Sequence, residues 1–256
     1  MSPATVLAGA LLVAAVVVGG AGPVAALSLG AGATVLVAAR RRAGRGARSV
    51  AALVVCFLVA LWALRATGGG ALWPLPLLGA AGLYALLSRV RGLELVTGWC
   101  VRGRGSRRGW ALVAAVVPVS AAGLLIWFAL VGHGVDTQAA YRDLLEGRGV
   151  ALVLAAGVGF ALVNAAAEEL VYNGITQRAF ALDLRPTAAV LLTAAVFGAS
   201  HWYGFPSGWA GVLLAGGYGL LLAAVRHVSG GLLLPWVAHV AADLTIVSIL
   251  AVSWSA

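Results

Sequence analysis

No lysine occurs among the 256 residues, so all 17 basic side chains are arginines. The phosphate-cradling GxxxxGK pattern is therefore absent, and no dinucleotide-binding fingerprint takes its place. Only two cysteines are present, Cys56 and Cys100, and neither sits in a CxxC spacing. Disulfide frameworks and zinc fingers are excluded on that ground, and each cysteine reads as a small apolar filler. Charge of either sign is scarce, at 10% of residues, while 62% are hydrophobic and the mean hydropathy is +1.02. A soluble domain carries about 25% charged residues and roughly 45–50% apolar ones. One soluble core of this length could not hide so much apolar surface, so lipid must cover it. The start, Met1-Ser2-Pro3-Ala4, lacks the positive charge of a signal peptide, and the first hydrophobic run is expected to be retained.

What the chain does have is a series of apolar runs, at 4–22, 24–39, 50–64, 71–88, 109–131, 150–180, 187–202, 208–225 and 231–251. Each is near the ~20 residues a helix needs to cross ~30 Å of hydrocarbon. Pro23, the Arg40–Arg48 cluster, Gly68-Gly69-Gly70, Pro186 and Pro206 supply breaks between them. The expected fold is all-α, a polytopic transmembrane bundle of about nine helices. Gly19-Gly20, Gly30-Gly32 and Gly216-Gly217 are expected at close helix contacts.

The arginines set an orientation. With the N-terminus in the cytoplasm, the inner loops hold Arg40, Arg41, Arg42, Arg45, Arg48, Arg89, Arg91, Arg102, Arg104, Arg107, Arg108, Arg178, Arg185 and Arg226. Only Arg65, Arg142 and Arg148 fall outside, a division of 14 against 3 that follows the positive-inside bias. The expected location is the cell membrane, multi-pass, N-terminus inside. The net charge of +9 is thereby explained by topology and by contact with anionic lipid head groups. Without a clustered basic face carrying stacking aromatics, nucleic acid is not an expected partner. The segment from Arg89 to Arg108, with Trp99 and Trp110, is expected at the inner interface.

Five ionisable side chains break the apolar pattern: Glu168, Glu169, His201, His239 and Asp243. A charge at bilayer depth costs ~2.5–3.5 kcal/mol on insertion scales, so such residues mark function by default. Carboxylates and imidazoles are also the groups that activate water. Asn164, Glu168 and Tyr172 share a helix face at i, i+4 spacing; Glu169 shares the adjacent stripe with Asn173; His239 and Asp243 share another face. Equal depth for Glu168 and His201 requires a turn near position 184.5, where Asp183-Leu184-Arg185-Pro186 provides a helix stop and restart. Both would stand ~25 Å from that turn, and His239 only ~15 Å from the Ser229-Gly230-Gly231 turn. The two helix pairs should thus be offset by ~10 Å, which leaves the open face of the site undecided.

Glu168-Glu169-x-x-x-Asn173, Phe197-x-x-x-His201 and His239-x-x-x-Asp243 resemble the three ordered motifs of the CPBP intramembrane protease family. That family includes type II CAAX prenyl endopeptidases and bacterial proteins linked to bacteriocin processing or self-immunity. Its pattern is EExxxR, FxxxH, then HxxxN or HxxxD. The likeness covers about 150–256 and implies a membrane protease domain at 149–256, preceded by helices of unassigned role at 1–148. It implies Glu168 as general base on a water also held by His201, with Glu169, His239 and Asp243 completing a catalytic set. Asp243 would either donate to the oxyanion when protonated, or accept from His239 and fix its tautomer. Glu168, His201 and His239 also match a catalytic zinc set, and the sequence does not choose between a metal-held water and a metal-free glutamate mechanism. Hydrophobic or lipidated, CAAX-type peptides are the implied substrates.

One departure stands out: Asn173 occupies the family's arginine position and offers an amide hydrogen bond without charge. Arg178, nearly opposite on the helix, is a poor substitute. An inactive family member, or a transporter or immunity partner using the same polar cluster, is the alternative reading. A transporter should show an internal repeat or paired broken helices, and no convincing repeat is present. His133 and His227 read as ordinary loop-borne or helix-end histidines, and Trp202, Trp209, Trp236 and Trp254 as interface anchors or packing.

Overall fold

The computed structural model describes residues 2–39, 44–68, 73–132, 148 and 150–255. His133, Arg40, Arg41, Arg42 and Arg142 lie outside the described residues. Among the described residues there is no strand, and nine helices follow one another. They are α1 (Pro3–Val18), α2 (Pro23–Ala38), α3 (Arg45–Ala66), α4 (Leu75–Leu87) and α5 (Arg107–Trp127, ending in a π turn, Phe128–Gly132). A long α6 follows, built from Val150–Glu168, a π-helical stretch Glu169–Thr176 and a last α-helical piece, Gln177–Asp183. Then come α7 (Pro186–Ser200, with a 3₁₀ turn His201–Tyr203), α8 (Gly208–Ser229) and α9 (Leu233–Ser255).

The nine runs thus become nine helices, but they differ in reach. Five are long and apolar enough to cross a membrane: α3, α5, α6, α8 and α9. The remaining four have 13 to 16 residues, and Pro3, Pro23, Pro76 and Pro186 sit in their first turns. At 1.5 Å per residue, α4 covers only ~20 Å.

Helix α3 is the central span, 72% buried within the protein against 22–39% for the other four long spans, whose apolar faces are left for lipid. Its Leu53, Val54 and Phe57 anchor a core shared with α1, α4, α6 and α7. A second, smaller cluster joins Val113 and Val116 of α5 to Leu222 and Val225 of α8 and to Leu234 and Ala238 of α9.

Among the described residues, chain connections sort to the two ends of the bundle. At one end, the Asp183 carboxylate accepts from the amides of Gly46 and Ala47 (3.1 and 2.8 Å) and from the hydroxyl of Thr5 (3.1 Å). The last residue of α6 therefore caps the start of α3, whose first amides would otherwise lack partners. Arg45 donates to the carbonyls of Glu94 and Leu95, and the backbone of 101–104 hydrogen-bonds with that of Ser229, Leu232 and Leu233 at the α8–α9 turn. At the opposite end, Trp62 and Arg65 of α3 donate to the carbonyls of Gly19 and Gly20. The described arginines expected in inner loops belong to connections at the Asp183 end, and Arg65 lies at the other.

Helices α7 and α8 approach each other closely. A Cβ on Gly198 would meet the Cα of Gly216 at 2.6 Å and the carbonyl of Val212 at 2.7 Å. Gly216 thus serves the close contact expected of it, whereas Gly217 faces open space.

Candidate active site

Glu168 ends the α-helical part of α6, and Glu169 opens its π stretch. The sequence reads as plain α-helix here, and the wider turn was not legible; such turns recur at functional sites. Both carboxylates are buried, at 4% and 1% exposure. They grip the same imidazole from two sides. Glu169 Oε1 lies 2.8 Å from His239 Nδ1, and Glu168 Oε2 lies 3.5 Å from His239 Nε2. On the other flank of Glu168, His201 Nε2 stands 3.7 Å from the same Oε2. The four sequence-predicted residues Glu168, Glu169, His201 and His239 therefore converge, and the depth matching inferred from the Asp183–Pro186 turn holds.

Asp243 joins from one turn further along α9. Its Oδ2 accepts from the amide of Asn164 at 3.0 Å, and its Oδ1 is 3.9 Å from His239 Nε2. That separation is too long for a hydrogen bond. Of the two roles open to Asp243, a hydrogen bond to His239 is not made, and the carboxylate at His239 Nδ1 is that of Glu169. The question raised by Asn173 is answered by the same contact. Asn173 donates to Glu169 Oε2 at 2.8 Å, so the Glu169 carboxylate is held by an amide and an imidazole where an arginine was expected. Arg178 is exposed and takes no part, and His227 is exposed at the end of α8.

The acceptors at the two Nδ1 atoms assign the imidazole protons. A carboxylate and a carbonyl can only accept, so His239 Nδ1–H donates to Glu169 and His201 Nδ1–H donates to the carbonyl of Phe197 at 2.7 Å. In the neutral rings both Nε2 atoms then present lone pairs towards Glu168. Phe197 also packs against both imidazoles, with centroids 4.4 and 5.9 Å away, which steadies their planes.

Two contributors were missed by sequence reasoning. Trp73, between α3 and α4, donates its indole N–H to Glu168 Oε1 at 3.3 Å. Nothing in its neighbourhood of glycines and prolines signals that role. Tyr218 brings its ring edge-on to His239, 5.6 Å between centroids. Its signal was available: it is the one hydroxyl-bearing residue in the apolar stretch 208–228 of α8.

The cluster forms the polar wall of a cavity of ≈ 930 Å³. The rest of the lining is apolar and includes Leu124 of α5, Phe160 of α6, Leu214 of α8 and Val247 of α9. From Glu168 the lining runs back along α6 to Val153, and from Asp243 forward along α9 to Ala251. Both directions lead away from the Asp183 end, so the cavity occupies the arginine-poor half of the bundle. Among the described residues no group of three or more His, Cys, Asp or Glu side chains is arranged to hold a metal ion.

The acid–imidazole cluster thus faces an apolar cavity in a bundle with five helices long and apolar enough to cross a membrane. Among known families, residues 150–245 match the one described as type II CAAX prenyl endopeptidase Rce1-like. The matched segment covers under half of the chain and contains all three motifs. No curated protein and no solved structure matches the chain.

Proposed function

We propose that the protein is an intramembrane endopeptidase that hydrolyses membrane-embedded or prenylated, CAAX-type peptides. The observation that carries this reading is Glu168 Oε2, buried and flanked by two imidazole Nε2 atoms at 3.5 and 3.7 Å, on the wall of an apolar cavity. Three acceptors at such distances call for a donor among them, and water, with two protons to give, fits that need.

In this mechanism Glu168 takes a proton from the water while its oxygen adds to the peptide carbonyl carbon. The same proton then passes to the leaving nitrogen as the C–N bond breaks, giving a carboxylic acid and an amine. His201 and His239 accept from the water through Nε2 and hold it beside Glu168, and Glu169, through Nδ1 of His239, keeps that ring in one tautomer. Asp243, anchored by Asn164, closes the polar wall. The cavity keeps bulk water out and receives the apolar part of the substrate.

We further propose that the arginine-rich end faces the cytoplasm, contacting anionic head groups, and that 149–256 forms the protease domain with 1–148 as its scaffold. The test is peptide release by the purified protein in lipid nanodiscs, offered prenylated and unmodified hydrophobic peptides. Glu168→Ala and His201→Ala should each abolish release, and His227→Ala should leave it intact. Wild-type protein inactive on all peptides, with and without added zinc, would favour a non-enzymatic membrane protein.

A further inference from the structure

Most hydrogen-bond donors on the cavity wall already have partners. The Trp73 indole N–H donates to Glu168, the Asn164 amide to Asp243, and the Ser200 hydroxyl to the carbonyl of Val196 at 2.8 Å. The Tyr172 hydroxyl is engaged with Ser200, and both histidine Nδ1 atoms are occupied. Tyr218 differs. Its ring lines the cavity beside His239, and its hydroxyl oxygen is buried without a hydrogen-bond partner in the protein. The carboxylates bearing on it are those of Glu169, Asp243 and Glu168. Each already accepts from another donor: Glu169 from His239 and Asn173, Asp243 from Asn164, and Glu168 from Trp73.

A buried hydroxyl that finds no partner costs about 1–3 kcal/mol, so its presence needs a reason. Amide hydrolysis supplies one. When water adds to the carbonyl, negative charge develops on the carbonyl oxygen, and a preorganised donor must meet it. An ionised Asp243 repels that charge, and Glu168 is engaged with the water.

We propose that Tyr218 is a catalytic residue of this site, its phenol hydroxyl donating the hydrogen bond that stabilises the tetrahedral oxyanion. The proposal rests on the peptidase reading above. No proton changes owner in this contact: the phenol keeps its hydrogen throughout, and the water proton still travels by way of Glu168 to the leaving nitrogen.

The experiment compares wild type with Tyr218→Phe, in nanodiscs, using a hydrophobic peptide substrate, a phosphinate analogue of the tetrahedral intermediate, and an uncleavable amide analogue of the substrate. Tyr218→Phe should lower kcat on the order of 10²–10³-fold and weaken phosphinate binding by the same factor, with KM and amide-analogue affinity within about 3-fold. Replacement of Tyr218 by a fluorinated tyrosine, which keeps the ring but ionises at lower pH, should lower the pH above which kcat falls. Should Tyr218→Phe fail to fold, that second substitution decides alone. A Tyr218→Phe protein with wild-type kcat and phosphinate affinity, or an unmoved basic limb, overturns the assignment and leaves the peptidase reading standing. A wild type that neither cleaves the peptide nor binds the phosphinate removes both.

Discussion

Glu169 is a clear example of a residue whose worth lies in what it does to a neighbour. It touches no cavity, yet its 2.8 Å contact with His239 Nδ1 decides which nitrogen of that ring faces Glu168. Removing it frees the imidazole to flip tautomer and to rotate. Glu169→Ala should therefore cut kcat on the order of 10²–10⁴-fold with KM little changed, measured on the same peptide substrate. Equal losses in kcat and in substrate affinity would point instead to a collapsed site. The acid–imidazole set was legible in the sequence because ionisable groups are so costly in lipid that five of them stand out. The pairing within the set was not. Helical spacing puts Asn173 on the stripe of Glu169, which the structure bears out at 2.8 Å, but it cannot say which carboxylate an imidazole on α9 will choose. Trp73 and Tyr218 were missed for a related reason: an indole or phenol in an apolar stretch looks like packing until its polar atom is located.

At the scale of elements, the site depends on how closely α7 and α8 approach. Gly198 lies one turn before His201, and the backbone of α8 occupies the space its Cβ would need. Because the obstacle is backbone and not the tip of a flexible side chain, Gly198→Ala has to push the helices apart. It should destabilise the protein by about 1–3 kcal/mol and displace His201, seen as a lowered unfolding midpoint in detergent and reduced peptide release. Gly82→Ala in α4, where no atom lies within 4 Å, should leave both unchanged and serves as the control. Nine helices were readable from the apolar runs, and the Asp183–Pro186 break gave the α6–α7 hairpin its register. The π stretch Glu169–Thr176 was not readable, since its residues suit an α-helix equally well and the choice of wider turn depends on packing around it. Nor was the length of α4: the apolar run 71–88 extends across Pro74 and Pro76, whereas the helix starts only at Leu75.

For the whole molecule, the governing asymmetry is between an arginine-rich end, tied together by Asp183, Arg45 and the 101–104 backbone, and an opposite half holding the cavity. Cys100 is exposed in the arginine-rich end, and Cys56 is buried in α3. A membrane-impermeant maleimide should therefore label the protein once, at Cys100, in inside-out vesicles and hardly at all in right-side-out ones. The reverse pattern would invert the orientation proposed from the arginines. The division of arginines was legible because it reflects a topological rule, independent of packing. The involvement of the first 148 residues in the site was not, because Trp73 reaches Glu168 only through tertiary structure.

The most direct measurement is peptide hydrolysis in ¹⁸O-water by purified protein in nanodiscs, read by mass spectrometry and repeated with Glu168→Gln, which preserves shape and removes the base. If buried acids and imidazoles activate one water, the new C-terminus carries a single ¹⁸O atom in the first turnover, and Glu168→Gln loses essentially all product. Intact peptide under every lipid and substrate condition, or a Glu168→Gln protein as fast as wild type, would contradict it.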